Sequence, residues 1–124
     1  MQAVISRVIL YVRDVDGLKQ FYQIHLGLEV TEEIAGEWAV LKAGAMELAL
    51  HRVGKAFREH PADEHGQSNS KIVFSLASGL MAARERMISV GVTMRPIKRY
   101  DGFPYSMCDG LDPEGNVFQL MQLD

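Results

Sequence analysis

The stretch Asp109-Gly110-Leu111-Asp112-Pro113-Glu114-Gly115-Asn116-Val117-Phe118-Gln119-Leu120-Met121 decides how this chain folds. It reads as the end of one strand, a tight turn and the start of another. Pro113 presets φ for a turn, and Gly115-Asn116 can take the positive φ that closes it. From Val117 onward the residues are apolar or favour β structure, as a buried strand requires. Alternation puts Phe118 and Leu120 on one face and Val117, Gln119 and Met121 on the other. A polar amide in the middle of an apolar strand either has a local hydrogen-bond partner or is lent to a binding surface.

The same kind of strand recurs at Arg7-Val8-Ile9-Leu10-Tyr11-Val12 and at Lys71-Ile72-Val73-Phe74-Ser75-Leu76. After the first of these, Asp14 can cap a helix that has Asp16 in its first turn. Leu18, Phe21, Tyr22 and His25 fall at helical spacing on one stripe, and Gly27 ends the helix. Strands are expected at Leu28–Ile34, Glu37–Ala43 and Met46–His51. After Lys71–Leu76, Ser78 is expected to cap a helix carrying Leu80, Ala83, Met87 and Val90, which stops at Gly91. Strands at Val92–Ile97, Phe103–Cys108 and Val117–Leu123 complete the second half. Arg7 and Lys71, Val12 and Leu76, and Gly27 and Gly91 share one offset of 64 residues. A constant offset across a strand, a helix and its glycine stop marks an internal repeat. Each half is then β-α-β-β-β. Neither half alone has strands enough to bury a sheet and a helix on both sides, so the halves pair, within one chain or across a dimer.

The bulk numbers exclude several classes. The chain has 124 residues and 48% hydrophobic content, enough for one domain with a core and too much for disorder. A formal charge of −3 argues against nucleic acid as the main partner. The densest basic run, Arg95-Pro96-Ile97-Lys98-Arg99, is short and broken by proline. No apolar run reaches the length of a membrane span, and the N-terminus has no signal-peptide pattern. A single cysteine, Cys108, makes no internal disulfide, so a reducing cytoplasm is the expected location. Residues 52–70 are a polar connector, expected as a surface loop in which His60 and His65 are solvated.

Two βαβββ halves, with Phe21-Tyr22 before Leu26-Gly27 and Asp112-Pro113-Glu114-Gly115-Asn116 before the last strand, resemble the vicinal oxygen chelate superfamily. That family groups glyoxalases, bleomycin-resistance proteins and extradiol dioxygenases. The resemblance implies an α+β fold in which two βαβββ modules form a curled mixed sheet around a concave cleft, with the helices outside. It implies one domain over residues 1–124, with a first module at 1–54, a connector at 55–69 and a second module at 70–124. Metal-dependent members place one ligand on the first and last strand of each module. Carried onto this sequence, those positions are Arg7, Glu47, Lys71 and Gln119. Each also lies on the face opposite the large aliphatic residues of its own strand.

This donor set departs from the family's metalloenzymes. Arginine offers five donors and no lone pair, and a lysine would first have to shed its proton. No metal and no other cofactor is therefore expected. Arg7, Lys71 and Glu47 are expected to pair, because isolated charges in a dry site cost several kcal/mol each, roughly. Two cations and one carboxylate leave one positive charge over, which a bound carboxylate, phosphate or enolate would neutralise. Tyr11 and Ser75 lie on the same face as possible hydrogen-bond donors, with Met121 beside Gln119. Trp38, Phe103 and Tyr105 are candidate walls for a flat ligand. His51 and Glu47 are the candidates for proton transfer. His25 reads as a core or interface residue, and Cys108 as a small strand residue.

The expectation is a cytoplasmic homodimer that binds a small anionic or aromatic organic molecule, with neither nucleic acid nor membrane as a partner. One alternative is a lyase, isomerase or dioxygenase, working through unusual metal ligands or without metal through His51 and Glu47. Another is a structural or regulatory protein whose cleft is filled by salt bridges.

Overall fold

A computed structural model describes residues 1–59 and 69–124. The connector histidines His60 and His65 lie outside the described residues. The chain is α+β and divides into two compact units, Met1–Ala62 and Asp63–Asp124.

In the first unit, β1 (Arg7–Val12) leads into α1 (Val15–Leu26). Then come β2 (Glu29–Ile34), β3 (Trp38–Ala43), β4 (Met46–Arg52) and a short 3-10 turn at Lys55–Phe57. The sheet order is β1-β4-β3-β2. β1 runs parallel to β4, and the other neighbours are antiparallel, so the sheet is mixed. Asp14 caps α1 as its sequence position predicts, accepting the Gly17 N–H at 3.0 Å. The helix stops at Gly27, whose left-handed conformation closes the last turn. Val15, Leu18, Phe21 and Tyr22 are buried against β3 and β4, where Ala39, Leu41, Leu48 and Leu50 complete the core. His25, expected in core or interface, is half-buried with its ring 4.9 Å from that of Phe21.

In the second unit, β5 (Lys71–Leu76), α2 (Leu80–Ser89), β6 (Tyr105–Leu111) and β7 (Val117–Leu123) form a sheet of order β5-β7-β6. β5 is parallel to β7, and β6 is antiparallel to it. α2 buries Leu80, Ala83 and Met87 against the sheet face that carries Phe118, Leu120 and Cys108. Burial pushes the Cys108 thiol up, so it is a packing residue with little thiolate character.

Three expectations fail here. The strand expected at Val92–Ile97 does not form, and only isolated bridges, Met94 to Gly110 and Lys98 to Met107, tie this segment to β6. Pro96 lies between the bridges and lacks the N–H a ladder needs, and the two bridges are out of step by one residue. Ser78 does not cap α2. Gly79 holds the cap position without a side-chain bond, and Gln122 Oε1 instead accepts the Leu80 N–H at 2.9 Å. Val90 is exposed and falls past the end of the helix.

The turn between β6 and β7 is built around Asp112, which is only 4% exposed. Its Oδ1 accepts the Glu114 N–H at 2.9 Å and the Asn116 N–H at 3.0 Å. Its Oδ2 accepts from Asn116 Nδ2 at 2.9 Å. Gly115 alone takes the positive φ, at 80°, and Asn116 does not. The turn fixes the hairpin register, Asp109 opposite Gln119 and Gly110 opposite Phe118. At Gly110 a Cβ would lie 2.5 Å from both Met94 Sδ and Phe118 Cζ, so only glycine fits between them. Among the described residues, no helix is long and apolar enough to cross a membrane.

Candidate functional site

In the first unit, the parallel register puts Arg7 beside Glu47 and Tyr11 beside His51. The β3–β4 register puts Trp38 on the other side of His51. Alternation then carries Arg7, Tyr11, Trp38, Glu47 and His51 on one face of the sheet. Arg7 Nε donates to Glu47 Oε1 at 3.1 Å, and Arg7 Nη2 is 2.9 Å from the same oxygen. Glu32, on β2, adds a second carboxylate at 3.8 Å from Arg7. The guanidinium carbon also lies 5.5 Å from the Trp38 ring centroid, within cation–π range. The His51 ring meets the Tyr11 ring edge-on at 5.2 Å and the Trp38 ring edge-on at 5.6 Å. The face is thus a row of rings ending at a charge-paired arginine, a surface suited to a flat ligand.

In the second unit, Lys71 and Gln119 meet on a residue that sequence reasoning did not single out. Lys71 Nζ is 2.7 Å from Asp109 Oδ2, and Gln119 Nε2 donates to Asp109 Oδ1 at 3.0 Å. The final strand's amide therefore has a hydrogen-bond partner of its own. Arg95 Nη1 stands 3.8 Å from the same Oδ2. Burial pushes the Asp109 carboxyl up, but the Lys71 and Gln119 hydrogen bonds, with the charges of Lys71 and Arg95, outweigh it. They hold the group below the ordinary carboxylate range. Further along the same face, Ser75 is the strand partner of Met121, and the Phe103 and Tyr105 rings lie 5.9 Å apart.

The Arg7–Glu47 pair of the expected charge cluster forms within the first unit. Glu47 pairs with Arg7 and Lys71 pairs with Asp109, each cation taking a carboxylate on a strand of its own sheet. The four strand positions are also not in equal register. Glu47 lies opposite Arg7, but Val117 lies opposite Lys71, and Gln119 is one pleat further along, opposite Val73. A signal for Asp109 was present in the sequence. Pairing the strands that flank Asp112–Asn116 as a hairpin brings Asp109 level with Gln119. Arg95 gave no such signal, because it reaches Asp109 from a segment held by isolated bridges. Among the described residues, no three His, Cys, Asp or Glu side chains come together as a metal-binding group.

The sequence matches the model of the Glyoxalase/Bleomycin resistance protein/Dioxygenase superfamily over residues 4–120. No curated protein matches it. Among solved structures, it is similar to a genomically encoded fosfomycin resistance protein from Listeria monocytogenes. That match has a TM-score of 0.79 and 16% identity, covering 100% of this chain and 96% of the other. It is also similar to an integron cassette protein from V. cholerae, with TM-score 0.74 and 21% identity over 100% and 98% of the two chains. A lactoylglutathione lyase from Agrobacterium tumefaciens gives TM-score 0.73 and 17% identity over 98% and 95%. At these identities the likeness is one of fold.

Proposed function

The chain belongs to the Glyoxalase/Bleomycin resistance protein/Dioxygenase superfamily, and from that premise we propose that it is a metal-independent member that binds a small anionic or aromatic organic molecule. The observation that carries this reading is the chemistry at the strand positions where metal-dependent members keep electron-pair donors. Arg7 and Lys71 stand there, each donating to a carboxylate. Neither offers a lone pair to a divalent ion, and one oxygen of Glu47, Oε1, is engaged by Arg7. This donor set does not fit a divalent metal.

The faces suit an organic ligand better. One carries the ring row Tyr11, His51 and Trp38, and the other carries two cations against one carboxylate. The reading includes a cytoplasmic location and a homodimer, which sedimentation would register as twice the chain mass.

Two measurements on the purified protein test it. Elemental analysis without chelator should find no stoichiometric metal. A thermal-shift screen of organic acids should find stabilising compounds, since a ligand at about 100 times its dissociation constant adds roughly 2.7 kcal/mol. A divalent ion at one per chain would overturn the proposal.

The ion pairs Arg7–Glu47 and Lys71–Asp109 favour a second reading, in which these pairs lock each face and the protein is structural or regulatory. A flat response to the whole acid panel would support that one. A catalytic role through His51 and Glu47 is weakened by the hydrogen bond that Arg7 already makes to Glu47.

A further inference from the structure

The second unit has an uneven charge count at one spot. Asp109 is one carboxylate facing two cations, and both its oxygens are in use, Oδ1 by Gln119 and Oδ2 by Lys71. Arg95, at 3.8 Å, is beyond hydrogen-bond reach of it. Its side chain is 50% exposed, and among the described residues its guanidinium donates no hydrogen bond. Among the described residues, two of the three Lys71 N–H donors are likewise left over. One positive charge and a guanidinium fork are therefore available on a face that also holds a neutral amide.

The same face changes character along the strands. From Asp109, alternation on β6 leads to Met107 and then Tyr105, whose ring is joined by that of Phe103. Leu123, the strand partner of Tyr105, and Val73, the partner of Gln119, are both exposed apolar residues. The charged end at Asp109 and the ring end at Tyr105 are four steps apart along β6, about 14 Å at ~3.4 Å per residue.

Resting on the small-molecule reading above, we infer that this face binds an elongated organic monocarboxylate. Arg95 and Lys71 take the carboxylate head, and the Phe103–Tyr105 rings take an apolar or aromatic tail. A guanidinium with its fork unused binds a planar carboxylate through two parallel hydrogen bonds, and the extra negative charge balances the site. Apolar body and anionic head must then be held about one strand-length apart. That excludes short acids such as acetate and excludes neutral aromatics as preferred ligands.

The test is calorimetric titration of the full chain with 6-phenylhexanoate, 6-phenylhexanamide and acetate, on the parent protein and on Arg95→Gln and Phe103→Ala. Both altered side chains are exposed, so both variants should fold, which circular dichroism checks. Expected is binding of the long acid at least about tenfold tighter than of its amide or of acetate, the loss of one charge-assisted contact. Arg95→Gln should remove most of that preference for acid over amide, and Phe103→Ala should weaken the long acid several-fold. Equal binding of acid and amide, or an Arg95→Gln variant that binds as the parent does, would overturn this inference while leaving a small-molecule function standing. No binding by any probe here or in the acid panel would sink both.

Discussion

Replacing Asp112 by alanine should remove more stability than its place in a turn suggests. The side chain is 4% exposed and accepts from three donors at 2.9, 3.0 and 2.9 Å. Hydrogen bonds to a charged acceptor are worth about 1.5–3 kcal/mol each, and donors left without a partner add their desolvation cost. Water entering the vacated space would restore part of this. About 1 kcal/mol per donor then remains, or ~3 kcal/mol in all. For a chain of this size that is a fall in Tm of roughly 10 °C. Asp112→Asn is the informative partner variant. It keeps an acceptor for the two backbone donors, and the Asn116 amide can turn over to meet the new NH2 group, so the cost should stay near 1 kcal/mol. Urea unfolding of the parent and both variants measures the two losses from the shift in midpoint at constant slope. An alanine variant that loses less than about 1 kcal/mol, or an asparagine variant that loses as much as the alanine one, would refute the reasoning.

Gly110→Ala should lower stability by about 1–3 kcal/mol, read by the same unfolding assay, because its Cβ would sit 2.5 Å from Met94 Sδ and from the buried Phe118 ring. Asp109 has a folded-state pKa below its unfolded value, so its contribution to stability is present above the ordinary carboxylate range and is lost as pH falls through the folded value. Lys71→Met removes the strongest of the groups that lower it, so the acid-unfolding midpoint should move to higher pH, with the Asp109 carboxyl carbon titrating higher by NMR. The Arg7–Glu47 pair has side chains 33% and 37% exposed, so a double-mutant cycle should give a coupling below about 1 kcal/mol that shrinks further at high salt.

The elements with local signals were legible in the sequence. Asp14, the stripe from Leu18 to Tyr22 and Gly27 sufficed for α1 because a helix is closed by bonds within a few residues. The repeat of β1 in β5 was legible because strand alternation is equally local. What failed depended on long-range register. Val92–Ile97 has strand-like composition, but Pro96 and a one-residue slip against β6 leave it as two bridges. The start of α2 was misplaced because its first N–H is capped by Gln122, 42 residues away, rather than by its neighbour Ser78. The Arg7–Glu47 pair was expected, but the partner that Lys71 takes was not. A parity argument fixes which face a side chain takes and leaves open which neighbour it meets, so Asp109 needed the hairpin register as well, and Arg95 emerged only from the structure.

The parallel pairings have a consequence for how the chain assembles in time. β1 leans on β4, with residues 13–45 between them, and β5 leans on β7, with residues 77–116 between them. Emerging from a ribosome at roughly 5–20 residues per second, each opening strand spends on the order of seconds before its mate exists. The antiparallel neighbours β2, β3 and β4 can zip as they appear, and so can β6 and β7, because little chain must be looped to join them. In each unit the oldest strand is thus the last to be docked, and the ion pairs Arg7–Glu47 and Lys71–Asp109 can close only at that final step.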